Sequence, residues 1–164
     1  MGTWKLSNEE KLFRNEPDTR KQILNTDEYP YCCIGLISGQ LGGQEYCGTG
    51  CLISGRVVLT CAHNIYDRQS EKNEINLTFV PGAKGKKGRE YKVIKTYYSF
   101  EFRVEGDESS QFDYCVMELE EDLGSRYGWI GIDARKENLK KVEEVEICGY
   151  PCDKDIYTMW NARG

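Results

Sequence analysis

Between Tyr31 and Leu119 the chain reads as six short β-forming runs, each cut off by glycine, proline or polar residues. This punctuation narrows the fold more than any other feature. β-Branched and aromatic residues suit a pleated strand, and strands joined by tight turns pair antiparallel with their neighbours. The runs are "YPYCCIGLI", "EYCGTGCLI", "RVVLTCA", "EINLTFV", "REYKVIKTYY" and "FDYCVMEL". In the first, Cys32, Ile34 and Leu36 alternate with other residues. Gly39 to Gly43 make a turn, Ser54-Gly55 joins the second and third runs as a hairpin, and Pro81-Gly82 ends the fourth. Tyr91, Val93 and Lys95 are expected on one face of the fifth. In the last, Tyr114, Val116 and Glu118 face one way and Cys115, Met117 and Leu119 the other. So many antiparallel strands in so little chain predict a small all-β barrel over residues 30–120, closed so that no edge is left open.

The flanks read differently. Residues 1–29 are polar, an N-terminal extension with a short helix expected over Asn8–Glu16, capped by Ser7 and ended by Pro17. Residues 121–141 are a charged connector. An apolar strand returns in "VEEVEICGYPCDK", and "TMWNARG" reads as the start of another element. Residues 142–164 are therefore expected to be the opening of a second barrel that is only begun. Half a barrel would expose strand edges and apolar surface, so a protein partner is expected to cover "EVEICGY".

Composition excludes several classes. A formal net charge of −5 argues against a nucleic-acid-binding face. The one basic cluster, Lys84, Lys86, Lys87, Arg89 and Lys92, surrounds glycines and reads as a solvated loop. No apolar run approaches the ~18 residues of a membrane span. The opening "MGTWKLSNEEKLFRNEPDTRK" lacks the apolar centre of a signal peptide, and Leu6 stands where myristoylation wants Ser or Thr. A cytoplasmic setting with reduced thiols is therefore expected for the eight cysteines. Cys47 and Cys51 cannot chelate one zinc from a single strand. Four steps at ~3.3 Å separate them by ~13 Å, against Zn–S bonds of ~2.3 Å. No metal and no cofactor is expected.

His63 is the only histidine in 164 residues, and it follows the strand "RVVLTCA". An imidazole base at the rim of a barrel needs a strand to hold it and a carboxylate on Nδ1 to fix its tautomer and stabilise its cation. Small residues at 61 and 62 let the backbone turn the ring outward. Asp113, 50 positions on, stands at the mouth of the last apolar run, where a partly desolvated carboxylate acts strongly on an imidazolium. Asp107, Glu108 and Asp122 lie in polar stretches and suit the task less well.

"GTGCLISGRVVLTCAHNIYD" resembles the catalytic-histidine region of chymotrypsin-fold serine endopeptidases, and most closely their glutamyl endopeptidase-like branch. "RKQILNTDEYPYCCIGLI" is similar to that branch's leading strand, with its "V-x-N-T…P-Y…I" pattern. "FDYCVMELEEDLGSRYGW" resembles its aspartate strand, and "ICGYPCDKDIYTMWNARG" its "GYPGDK…W…G" opening of the second barrel. The four landmarks run in order from about residue 19 to 164. The resemblance implies a chymotrypsin-like antiparallel fold of two barrels, peptide or protein substrates, His63 as catalytic base and Asp113 as its aspartate.

Three departures accompany it. The family's nucleophile lies in a Gly-x-Ser-Gly motif on the second barrel, and after Asp113 the only serine here is Ser125, in "LGSRYG". The oxyanion-hole N–H groups belong to that same loop, and a second-barrel histidine tied to acidic-residue specificity has no counterpart. This chain is thus expected to be inactive alone, either completed by a Ser-bearing segment or acting as a non-catalytic pseudoprotease. Secondly, many relatives carry a cysteine after the histidine, bonded to a residue near "GTG". Here that position is Asn64, which leaves Cys47 without that partner. Thirdly, Cys61 replaces the usual Ala or Gly. It sits too close to His63 along a turn for in-line attack.

Overall fold

The computed structural model describes residues 18–41, 44–68, 72–73, 75–85, 88–104, 107–133, 135, 142 and 144–164. The helix expected over Asn8–Glu16 lies outside them. Six strands close into an antiparallel barrel: β2 (Ile34–Leu41), β3 (Gln44–Ser54), β4 (Val57–Thr60), β7 (Ile75–Pro81), β8 (Tyr91–Tyr98) and β9 (Cys115–Leu119), in the order β2-β3-β4-β9-β8-β7. A second sheet has the order β1-β11-β10, built from β1 (Lys21–Ile23), β10 (Glu146–Gly149) and β11 (Met159–Arg163). A small ribbon of β5 (Tyr66–Asp67) and β6 (Lys72–Asn73) follows the histidine. Among the described residues one short α-helix, α1 (Gly124–Tyr127), follows β9.

The barrel interior is filled as the alternation demands. Ile37, Leu52, Val58, Phe79, Tyr91, Met117 and Leu119 are all buried, and the inward face of β9 is Cys115, Met117 and Leu119. Each such side chain contributes about 1.5–3 kcal/mol on leaving water. Packing is tight enough to require glycine at Gly50, where a Cβ would lie 2.6 Å from Val58 Cγ1 and 2.9 Å from Ile37 Cδ1.

Three local expectations change. The turn expected over Gly39 to Gly43 is shorter, because β2 continues in register with β3 to Leu41. Tyr31–Cys33 forms a 3₁₀ turn, and the strand begins only at Ile34. In β8 the inward positions run Tyr91, Val93, then Thr96 and Tyr98, because the register with β9 shifts between Val93 and Lys95. This bulge inserts one residue and turns Lys95 to solvent, where it lies 3.8 Å from Glu118.

The second sheet packs on the outside of the barrel through its own apolar cluster. Ile23, Leu36, Val80, Ala83, Tyr150 and Met159 are buried together. The N-terminal segment contributes to this unit: β1 pairs with β11, matching Ile23 to Met159. The chain then turns back to the barrel at Thr26, whose hydroxyl donates to Gly82 O at 2.7 Å. Gly82 has φ of 57° and lies so near Thr26 that a Cβ would be 2.5 Å from its carbonyl oxygen, so only glycine fits. On β10, Ile147 is 72 % exposed, with Val145 also exposed just before the strand. No helix among the described residues is long and apolar enough to cross a membrane.

Candidate active site

The sheet ladder brings His63 and Asp113 together. In the β4–β9 pairing Thr60 lies opposite Cys115. His63 stands three residues beyond the end of β4, and Asp113 two residues before the start of β9. Antiparallel pairing therefore puts both at the same end of two adjacent strands. Residues 62–64 wind into a single 3₁₀ turn, with Asn64 N–H donating to Cys61 O at 3.2 Å and Ile65 N–H to Ala62 O at 2.9 Å. Ala62 is fully buried, which anchors the turn and leaves the His63 ring outside. On the other side, residues 107–112 form a 3₁₀ segment that ends with Asp113 N–H on Ser110 O at 3.1 Å.

Asp113 grips His63 twice. Its Oδ1 accepts the His63 backbone N–H at 2.9 Å, and its Oδ2 lies 2.6 Å from Nδ1. A carboxylate on Nδ1 selects the tautomer with the proton there, so the Nε2 lone pair is the one open to a reacting group. The imidazole is 59 % exposed and the carboxylate 26 %. Such a pair can accept a proton from a hydroxyl brought to Nε2 and stabilise the resulting imidazolium.

A polar strut behind the turn is absent from the sequence expectations. Asn64 is buried at 6 % exposure. Its Nδ2 donates to Thr60 Oγ1 at 2.9 Å, and its Oδ1 accepts from Tyr46 Oη. Thr60 Oγ1 in turn donates to Thr49 O at 2.8 Å. The amide lies over Gly48, where a Cβ would stand 2.8 Å from Nδ2. The only advance signal was a polar residue directly after the histidine.

Ser125 is not at this site. It belongs to α1, whose base is held to the Gly55 turn by Leu123 N–H on Gly55 O at 2.7 Å. Gly124 is packed against Gly55 Cα at 3.1 Å from where its Cβ would be. That turn precedes β4, whereas His63 follows it, so the strand's full length separates them.

Cys61 offers its sulfur within 4.8 Å of donor atoms on His63 and Asp113, a set that could hold a soft divalent cation. Filling it would compete with the bonds Asp113 already makes to His63. As a nucleophile Cys61 is disfavoured. Partial burial and then the Asp113 charge push its thiol up, the reverse of the cationic surroundings that activate a cysteine. Burial likewise pushes Cys115 up to about 11 and Cys33 up to about 12.

A closed six-stranded antiparallel barrel with part of a second one on its flank follows the chymotrypsin-like fold of serine proteases. The trypsin family's sequence profile matches residues 27–161, and the chain belongs to that family. It is 34 % identical over 149 residues to the "Glutamyl endopeptidase" of Bacillus licheniformis, covering 90 % of this chain and 45 % of that protein. It is 26 % identical over 147 residues to the "Extracellular metalloprotease" of Bacillus subtilis, covering 88 % and 46 %. The chain thus spans about half the length of these curated relatives. In three dimensions it is similar to a Glu endopeptidase solved in complex with MPD, with a TM-score of 0.72, 23 % identity, and 88 % of this chain and 66 % of that one covered. The protease Anisep from Arthrobacter nicotinovorans follows the same fold, with a TM-score of 0.67, 19 % identity, and coverage of 84 % and 65 %.

Proposed function

We propose that this chain is the acid–base half of a serine-type endopeptidase. His63 is the general base and Asp113 the carboxylate that fixes and supports it. The observation that carries the reading is the double grip of Asp113 on the His63 backbone N–H and Nδ1. By itself the chain hydrolyses no peptide bond, since its only serine after Asp113 stands at the far end of β4. Loss of the nucleophile removes about six decades of kcat in a related catalytic constellation. A segment carrying a Gly-x-Ser-Gly loop would complete the site, adding strands beside β10 and covering Ile147. Residues 30–120 are the His/Asp barrel, 121–141 its connector, and 142–164 with β1 the beginning of the second unit. By likeness to the glutamyl endopeptidase the substrates are peptides with an acidic residue before the scissile bond. The extracellular name of the second relative favours a secreted setting over the cytoplasmic one expected from the opening residues.

The test is direct. The purified chain is incubated with a fluorophosphonate probe and with peptides carrying Glu or Asp before the cleavable bond, alone and with a separately produced Ser-bearing second barrel. Activity is expected only in the mixture, and only with His63 intact. Labelling or cleavage by the chain alone would refute its inactivity. The second reading is a pseudoprotease that binds without cleaving. A stop codon directly after Gly164 in the transcript would favour it, and an in-frame Gly-x-Ser-Gly downstream would exclude it.

A further inference from the structure

Cys47 and Cys152 are 105 positions apart, yet they meet at the seam between the barrel and the second sheet. The reason lies in how the segment after β10 docks on β3. Gly149 approaches Thr49 so closely that a Cβ there would lie 2.8 Å from Thr49 Oγ1. Tyr150 N–H donates to the same Oγ1 at 2.8 Å, while Tyr150 Oη reaches Ala83 O at 3.1 Å. Cys47 is on the same side of β3 as Thr49, two residues away, and Cys152 is two residues beyond Tyr150. The two stretches therefore bring the two thiols to one place: Cys152 Sγ donates to Cys47 O at 3.8 Å.

Ion pairs hold this loop in place. Arg20 binds Asp153 at 2.6 Å, and Lys154 binds Asp18 at 2.6 Å while lying 4.5 Å over the Trp160 ring. Cys152 is exposed and Cys47 half-buried; both carry thiols in this structure. Cys32 and Cys33 also touch, but they are chain neighbours, and a disulfide between them would close a strained ring.

We propose that Cys47 and Cys152 form an oxidative modification site, closing to an intrachain disulfide that bridges the barrel and the second sheet in exchange with a small-molecule disulfide such as oxidised glutathione. The exposed Cys152 thiolate attacks one glutathione sulfur, the glutathione S–S bond breaks, and one glutathione thiolate leaves. The Cys47 thiolate then attacks Cys152 Sγ and displaces the second glutathione. Two protons pass from the protein thiols to the two glutathiones, and the two electrons lost by the protein reduce the glutathione disulfide. Cys47 is held well above the usual thiol range, first by its hydrogen bond to Cys152, then by burial and by the Cys152 charge. Capping Cys152 removes both of that residue's contributions, which orders the steps. The bridge does not depend on whether the dyad is catalytic.

The folded chain is equilibrated with oxidised glutathione, acid-quenched, alkylated and peptide-mapped by mass spectrometry without reduction. The expected product is one peptide pair joining Cys47 to Cys152, lighter by two hydrogens than the sum of the reduced peptides. Cys61→Ser retains it, while Cys47→Ser and Cys152→Ser lose it. Oxidation is also expected to raise the thermal midpoint of the native chain by several degrees and to leave Cys152→Ser unchanged. Glutathione persisting on Cys152 while Cys47 is fully alkylated would overturn the proposal, as would Cys47 joined to any other cysteine or no linked peptide at all.

Discussion

Asn64→Ala removes the strut beneath the histidine turn, and the structure sets the size of the effect. The amide makes two hydrogen bonds, to Thr60 Oγ1 at 2.9 Å and from Tyr46 Oη, at a position only 6 % exposed. Each such bond is worth about 1 kcal/mol net. Thr60 keeps its own acceptor in Thr49 O, so its hydroxyl is not stranded, whereas Tyr46 loses the acceptor Asn64 provides. The sum with a small cavity is about 2–3 kcal/mol. For a chain of this size that lowers the melting midpoint by roughly 5–10 °C. Urea denaturation should show a reduced midpoint with an unchanged slope, since the surface exposed on unfolding stays the same. Paired with Tyr46→Phe in a double-mutant cycle, the coupling energy should be about 1 kcal/mol. A single-mutant loss below about 0.5 kcal/mol, or no coupling, would refute the strut. The turn would then be held by Ala62 burial and its backbone bonds alone.

Three further outcomes are expected. Asp113→Asn, assayed in the completed two-part enzyme, should lower kcat by about four decades with little change in KM, since the amide favours the wrong imidazole tautomer; a loss under tenfold would remove Asp113 from the mechanism. Met159→Ala, at a fully buried position, should cost about 2–5 kcal/mol and be read by urea denaturation; a cost below 1 kcal/mol would mean that the second sheet is not packed through that cluster. Arg20 depresses the Asp153 carboxyl, chiefly by hydrogen bonding, so this pair's stabilisation is present above the ordinary carboxylate range near pH 4 and is lost as pH falls through the lowered value. Arg20→Gln should therefore flatten the fall of the melting midpoint below about pH 4, and an unchanged acid limb would show the pair to be inconsequential.

What was legible in the sequence was what is local or periodic. The alternation in "FDYCVMEL" places Cys115, Met117 and Leu119 inward, as found, because a strand's period of two is set by its own backbone. The closed six-stranded barrel was legible from the spacing of turns. Lys95 was not, because a bulge is a property of two paired strands and shows only when β8 meets β9. The pairing of β1 with β11 joins segments from opposite ends of the chain, and nothing in "KQI" announces it. His63 and Asp113 were each visible as a polar residue at a strand end, but the 2.6 Å contact required the Thr60–Cys115 register. Asn64 was noticed for the cysteine it is not, and its work as a buried hydrogen-bonding amide became visible only when Tyr46 and Thr60 were seen around it.

Asn64 and Cys152 bear on the same neighbour. The resemblance implies a staple from a cysteine after the histidine to one near "GTG", closing a loop of 17 positions inside the barrel. Here that place holds an amide packed over Gly48, next to Cys47 in β3. Cys152 in turn stands where the family's "GYPGDK" pattern has glycine, and its thiol meets Cys47. A barrel-internal staple is thus replaced by a polar strut, and the sulfur of β3 faces the second sheet instead. The consequence is mechanical. A 47–152 bridge spans 105 positions. By loop-closure entropy it constrains the unfolded chain by roughly 1.5 kcal/mol more than a 17-position loop would. It also ties together two sheets that otherwise meet through one apolar cluster and hydrogen bonds such as those of Tyr150. The dyad sits at the end of the β4–β9 ladder, within the barrel, and the ladder holds it whether the seam is locked or open. Oxidation of this pair should therefore change how firmly the second sheet is held while leaving the His63–Asp113 geometry in place.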